Sequence, residues 1–241
     1  MERVAIIDMG SNSIRFIVIQ VADNKSYHLE YQQKEAIRLG RGMSETGRLN
    51  PEGVERAMAC LHVYKHMMEV LQVTKCIAVA TAAARNAADG EEFIARIKRE
   101  TGIDIEVISG EREAYLGYLG VVNTIDERNY LQFDLGGASI EVSLVRDRKI
   151  VESVSVPIGA VTVTDAFNLA DKVTGAAVER STMPLSRSSS SLSSVSSAVF
   201  SIFALTSASF FSSRFIPSAA LPIICSICFM PALILLSSIC F

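Results

Sequence analysis

Residues Val4–Gln20 read VAIIDMGSNSIRFIVIQ. Two runs rich in β-branched residues flank a short turn, Asp8-Met9-Gly10-Ser11-Asn12-Ser13, which is the composition of a strand–turn–strand unit. The plainest reading is a surface turn that only reverses the chain. A strand-terminal Asp followed by Gly and Ser can also bind: small residues let backbone N–H groups approach a phosphate, and the carboxylate can hold a divalent cation, often through water. A second stretch favours binding. Residues 130–149, YLQFDLGGASIEVSLVRDRK, lie on the opening stretch with Asp134 on Asp8, Gly136 on Gly10, Ser139 on Ser13 and Ile140 on Ile14. Self-similarity at 126 positions is too long a period for a solenoid and predicts two related domains whose turns face one another.

Working outward, strands are expected over Val4–Asp8, Ile14–Val21 and Ser26–Leu39. A polar loop, Gly40–Asn50, leads to Asn50-Pro51, an N-cap followed by proline at the first helical position. The helix should run to about Val73, with Val54, Met58, Leu61, Tyr64, Met68 and Leu71 on its core face. His62 and His66 stand one turn apart on it, without the carboxylate that a metal motif would add, and read as surface histidines. Further expectations are a strand over Cys76–Ala80, a helix over Gly90–Glu100 capped by Asp89, and a strand over Ile103–Ile108. A helix starting at Ser109 carries Glu111 and Glu113 in its first turn. Past the second turn come strands over Val142–Val145 and Lys149–Val156, then a helix over Val161–Leu169. Strand and helix alternate, so the class is α/β.

Composition divides the chain. All 26 acidic residues lie at or before Glu179, with 20 of the 23 basic ones, so this part is acidic overall. An acidic body argues against binding nucleic acid through its phosphates. It holds two cysteines, Cys60 and Cys76, which is no disulfide framework and suits the cytoplasm. Residues 180–241 contain 19 Ser and three Arg but no Asp, Glu, Lys, Gly, Asn, Gln, His or Tyr. No ordinary globular segment lacks so many residue types. This tail is expected to be an aberrant, out-of-frame product. Phe215–Phe241 is uncharged and long enough to span a bilayer, but Pro217, Pro222 and Pro231 interrupt it and no basic cluster orients it, so membrane insertion is not expected.

Four segments together carry a resemblance: DMGSNSIR (Asp8–Arg15), ATAAARNA (Ala80–Ala87), SGEREAYLGYLGV (Ser109–Val121) and DLGGASIE (Asp134–Glu141). They resemble the motifs of the exopolyphosphatase / guanosine pentaphosphate phosphohydrolase family, within the sugar kinase–Hsp70–actin superfamily. The resemblance covers about residues 1–175. It implies ribonuclease H-like, actin/Hsp70-type duplicated α/β domains: a complete first domain over 1–126, an incomplete second one over 127–178, and the aberrant tail over 179–241. It implies two phosphate loops, Gly10-Ser11-Asn12-Ser13 and Gly136-Gly137-Ala138-Ser139, with Ala138 where the family often has Gly or Ser. Arg15 and Arg85 become phosphate clamps, Arg38 a further phosphate contact with Arg41 beside it, and Glu113 the general base, with Glu111 ranked second. Asp8, Asp134 and Glu141 are the carboxylates expected near Mg²⁺ or another divalent cation. The implied substrate is inorganic polyphosphate or guanosine pentaphosphate, and the intact family form is a homodimer. A kinase of the same superfamily and a phosphate-binding fragment without turnover stay open beside the hydrolase, as does the activity of a chain with so short a second domain.

Overall fold

A computed structural model describes residues 1–167 and 223–226. Two mixed sheets share one plan. The first comprises β1 (Glu2–Met9), β2 (Ser13–Val21), β3 (Tyr27–Ala36), β4 (Lys75–Ala80) and β5 (Glu106–Val107), in the order β3-β2-β1-β4-β5. The second comprises β6 (Tyr130–Leu135), β7 (Ile140–Arg146), β8 (Lys149–Val156) and β9 (Ile223–Ser226), in the order β8-β7-β6-β9. Each is an antiparallel meander of three strands with a further strand added parallel to its first: β4 beside β1, and β9 beside β6. The mixed α/β class read from the sequence is therefore the one observed.

β1 and β2 are covered on both faces, and their alternation sorts residues accordingly. Ala5, Ile7, Met9, Ile14, Phe16 and Val18 join one core with α2 (Pro51–Val70) and α4 (Gly90–Thr101). Val4, Ile6, Ile17 and Ile19 join a second core with Leu116 of α5 (Gly110–Val122). Val121, further along α5, packs with Tyr130 and Val145 of the second sheet. One helix thus bears on both sheets. Asp8 and Arg15 are cross-strand partners in the β1–β2 register and fall on the α5 side of the first sheet.

Several boundaries differ from the sequence expectation for identifiable reasons. The third strand ends at Ala36, not Leu39, because Arg38 has φ 57° and turns the chain. The Gly40–Asn50 loop contains a single helical turn, α1 (Met43–Thr46). α2 stops at Val70, short of Val73, with Gln72 left-handed at φ 53°. Asn50 caps α2 as expected, its side chain accepting from Gly53 N at 2.9 Å. Asp89 does not cap α4: its carboxylate accepts from Leu49 N at 2.9 Å and meets Arg48 at 3.4 Å. The strand expected over Ile103–Ile108 shrinks to two residues, since Ile103 N is taken by the Thr101 hydroxyl at the end of α4. α3 (Ala82–Asn86) follows β4, and α6 (Ala160–Phe167) replaces the helix expected over Val161–Leu169, whose last two residues lie outside the described ones. Apart from β9, the tail expectation also lies outside them. Among the described residues no helix is long and apolar enough to cross a membrane.

Gly90 tests the packing of α3 against α4. A Cβ there would lie 1.9 Å from Ala84 O. Gly→Ala in a helix ordinarily stabilises by about 1 kcal/mol. Gly90→Ala should instead lower the melting temperature, by overpacking worth about 1–3 kcal/mol. A melting temperature equal to or above the parent's would contradict the contact.

Candidate active site

Both turns are closed by the same bond. Gly10 N donates to Ser13 O at 2.9 Å, and Gly136 N donates to Ser139 O at 2.9 Å. Each turn is backed by a second segment. Arg38 N and Gly40 N donate to Asn12 O and Ser11 O at 2.9 Å, and Ala160 N and Val161 N donate to Gly136 O and Gly137 O at 3.0 and 2.7 Å. The turns then meet: a Cβ on Gly137 would lie 3.1 Å from Ser11 Cβ and 3.2 Å from Asn12 N. Glycine is needed there for close approach. Between them lies a cavity of about 100 Å³, lined by both turns and by Asp8, Arg15, Thr81, Glu113, Gly117, Asp134 and Glu141.

The polar groups around it sit in a low-dielectric setting. Arg15 is 7% exposed, and none of the described hydrogen bonds or ion pairs engages its guanidinium. Desolvation pushes the Asp8 carboxyl up to about 6 against the opposing pull of Arg15 and Lys34. Glu113 sits in the first turn of α5, whose N-cap Ser109 accepts from Arg112 N at 3.1 Å. Its Oε2 lies 3.3 Å from Arg85 Nη1, which also donates to Ile108 O at 2.8 Å. Burial, then the nearby Glu141 charge, push Glu113 up to about 8, with Arg85 opposing. Glu141 is 3% exposed and raised by burial, while hydroxyls from Ser139 and Ser155 stabilise its charged form. Ser155 Oγ donates to Glu141 Oε1 at 2.7 Å.

The structure therefore brings together Asp8, Gly10, Ser11, Asn12, Ser13, Arg15, Glu113, Asp134, Gly136, Gly137, Ala138, Ser139 and Glu141. Arg85 stands behind Glu113 and faces an open groove of about 500 Å³ that Glu111, Ser139 and Ser155 also line. Arg38 and Arg41 are exposed and line neither space; Arg38 supports the first turn through its backbone N–H instead. Asp8, Asp134 and Glu141 share the cavity, but among the described residues no three carboxylates, histidines or cysteines converge as one ion's donor set. His62 and His66 are exposed, His66 Nδ1 lying 3.6 Å from Glu69. Sequence reading missed Thr81, though it lies in a quoted motif, and Ser155, whose role depends on strand register.

The family model described as the Ppx/GppA phosphatase family matches residues 17–199. The chain belongs to the Ppx/GppA phosphatase family. It is similar to the bifunctional 3-dehydroquinate synthase/phosphatase of Fusobacterium nucleatum, with 33% identity over 178 residues, covering 70% of this chain and 27% of that protein. A crystal structure of an exopolyphosphatase from Cytophaga hutchinsonii superimposes with a TM-score of 0.67 and 30% identity, over 73% of this chain and 56% of that one. The Aquifex aeolicus Ppx/GppA family member gives a TM-score of 0.59 and 36% identity, over 74% and 58%. The chain thus spans about a quarter of the curated relative and under three-fifths of these two solved members. The matched region contains Arg85, Glu113, the second turn and Glu141; the first turn, with Asp8 and Arg15, lies just before its start.

Because Glu113 is protonated more readily folded than unfolded, its stabilising contribution is complete below its ordinary value of 4.5 and is lost as the pH rises toward 8. Glu113→Gln should therefore melt higher than the parent at pH 8.5, with the difference shrinking toward pH 5. A pH-independent difference would contradict this electrostatic setting.

Proposed function

We propose that the chain is a phosphoanhydride hydrolase that releases the terminal phosphate of inorganic polyphosphate. One observation carries the reading: a buried guanidinium, Arg15, faces a cavity walled by two matching glycine turns, with a half-buried carboxylate, Glu113, at its rim. About 100 Å³ suits one phosphoryl group and its water, so the terminal group is the one that enters. The two turns belong to two related domains, the first over residues 1–126 and the second beginning at 127.

Arg15 neutralises phosphoryl oxygens where little water competes, and the turns present N–H groups to the same oxygens. Glu113 accepts a proton from a water placed in line with the scissile bond. The water oxygen bonds to phosphorus as the bridging P–O bond breaks, and the electron pair leaves on the shortened chain. Arg85, paired with Glu113, holds that carboxylate toward the cavity and is placed to meet the next phosphate from the groove side. Asp8, Asp134 and Glu141 line the same cavity with hard oxygens but do not converge on one point, so a divalent cation such as Mg²⁺ would be held there largely through water, where it would neutralise charge on the phosphoryl oxygens. Guanosine pentaphosphate presents the same terminal anhydride, and competition between the two substrates tells them apart.

Phosphate release from polyphosphate with Mg²⁺ tests the roles. Glu113→Gln should reduce kcat by roughly 10²–10⁴-fold, and Arg15→Ala should reduce kcat/KM by roughly 10²–10³-fold, the scale of one lost transition-state donor. Equal release by parent and Glu113→Gln would remove the general base from the account.

A further inference from the structure

Glu141 is a carboxylate almost wholly withdrawn from water, and such a group needs donors. Among the described residues no Arg or Lys lies within ion-pair distance of it; hydroxyls serve it instead. Ser155 stands directly across from Glu141 in the β7–β8 register and donates to Oε1 at 2.7 Å. The same residue meets the helix that carries Glu113. A Cβ on Gly110, the first residue of α5, would lie 2.7 Å from Ser155 Cβ, 2.9 Å from its Oγ and 3.8 Å from Arg85 Nη2. The α5 N-terminus therefore rests on Ser155, with Arg85 alongside. One small side chain on an edge strand touches the second sheet's buried carboxylate and the base-bearing helix together.

Resting on the hydrolase reading, we propose that Ser155 is a positioning residue of the reaction. Its hydroxyl holds the Glu141 carboxylate at the cavity wall, and its contact with Gly110 sets the depth at which α5 presents Glu113. Both contacts are made within the protein, to Glu141 and to the start of α5, so the effect of losing them falls on turnover more than on binding. Alanine at this position removes one of the two hydroxyls serving Glu141 and leaves its side chain free to rotate, while opening space under the start of α5.

The test uses the full chain with polyphosphate and Mg²⁺, comparing parent, Ser155→Ala and Ser155→Thr. Ser155→Ala should lose about tenfold in kcat with KM within twofold, at unchanged secondary structure, and Ser155→Thr, which keeps the hydroxyl, should recover most of that loss. A Ser155→Ala kcat within twofold of the parent, a loss confined to KM, or a loss that Ser155→Thr does not recover would overturn the proposal. A second readout separates this from the hydrolase reading: a thermal-unfolding cycle of Ser155→Ala, Glu141→Gln and the double variant. Non-additive melting shifts support the Ser155–Glu141 bond even if the parent proves inactive, in which case the hydrolase reading fails; additive shifts overturn the bond and the proposal with it.

Discussion

Gly137 lies so close to Ser11 and Asn12 that even a methyl group on it would press on both. The rest of the site depends on that approach. Behind the first turn, a Cβ on Gly40 would stand 3.2 Å from Ser11 Cβ; behind the second, one on Gly159 would stand 2.3 Å from the Gly137 carbonyl carbon. Glycine at each of these layers fixes the width of the gap between the turns, and so the size of group it admits. The bonds from Gly40 N to Ser11 O and from Val161 N to Gly137 O lock the same layers from outside. A further tie, Gly42 N to Asp165 Oδ2 at 2.8 Å, links the segment before α1 to α6.

The two turns share a backbone but not a charge pattern. At equivalent places across the repeat, β2 carries Arg15 opposite Asp8, while β7 carries Glu141 opposite Asp134. One wall is therefore a carboxylate beside a buried cation, and the other is a pair of carboxylates. Helix α5 adds Glu113 between them, restrained by Arg85. Burial away from water raises the proton affinity of Asp8, Glu113 and Glu141 alike, and at Glu113 the charges of Glu141 and Asp8 add to it. Such an arrangement is unfavourable for the fold by itself. On the proposed function, the cost is offset when an anion meets Arg15 and a cation meets the carboxylates.

What was legible in the sequence was local. The Asp-x-Gly-x-x-Ser turn needs only neighbouring residues for its geometry, so its two copies announced both the repeat and most of the cavity lining. The Ser109 and Asn50 caps were legible for the same reason. Contacts across the fold were not. Ser155 gains its meaning from facing Glu141 across a strand pair and Gly110 across a helix end. Arg38 entered as a phosphate contact through the family resemblance; its left-handed backbone, which turns an N–H toward Asn12, was not legible in the sequence. Asp89 had a cap's position, but the Leu49 amide claims its carboxylate.

The central claim is that water attacks a terminal phosphoryl group held between the two turns. The most direct measurement is the hydrolysis of polyphosphate by the full chain in ¹⁸O-enriched water, followed by ³¹P NMR of the products. The account predicts that orthophosphate is released one unit at a time, that each released phosphate carries one ¹⁸O, and that the shortened chain carries none. Label in the remaining chain, release of internal fragments, or no orthophosphate at all would contradict it.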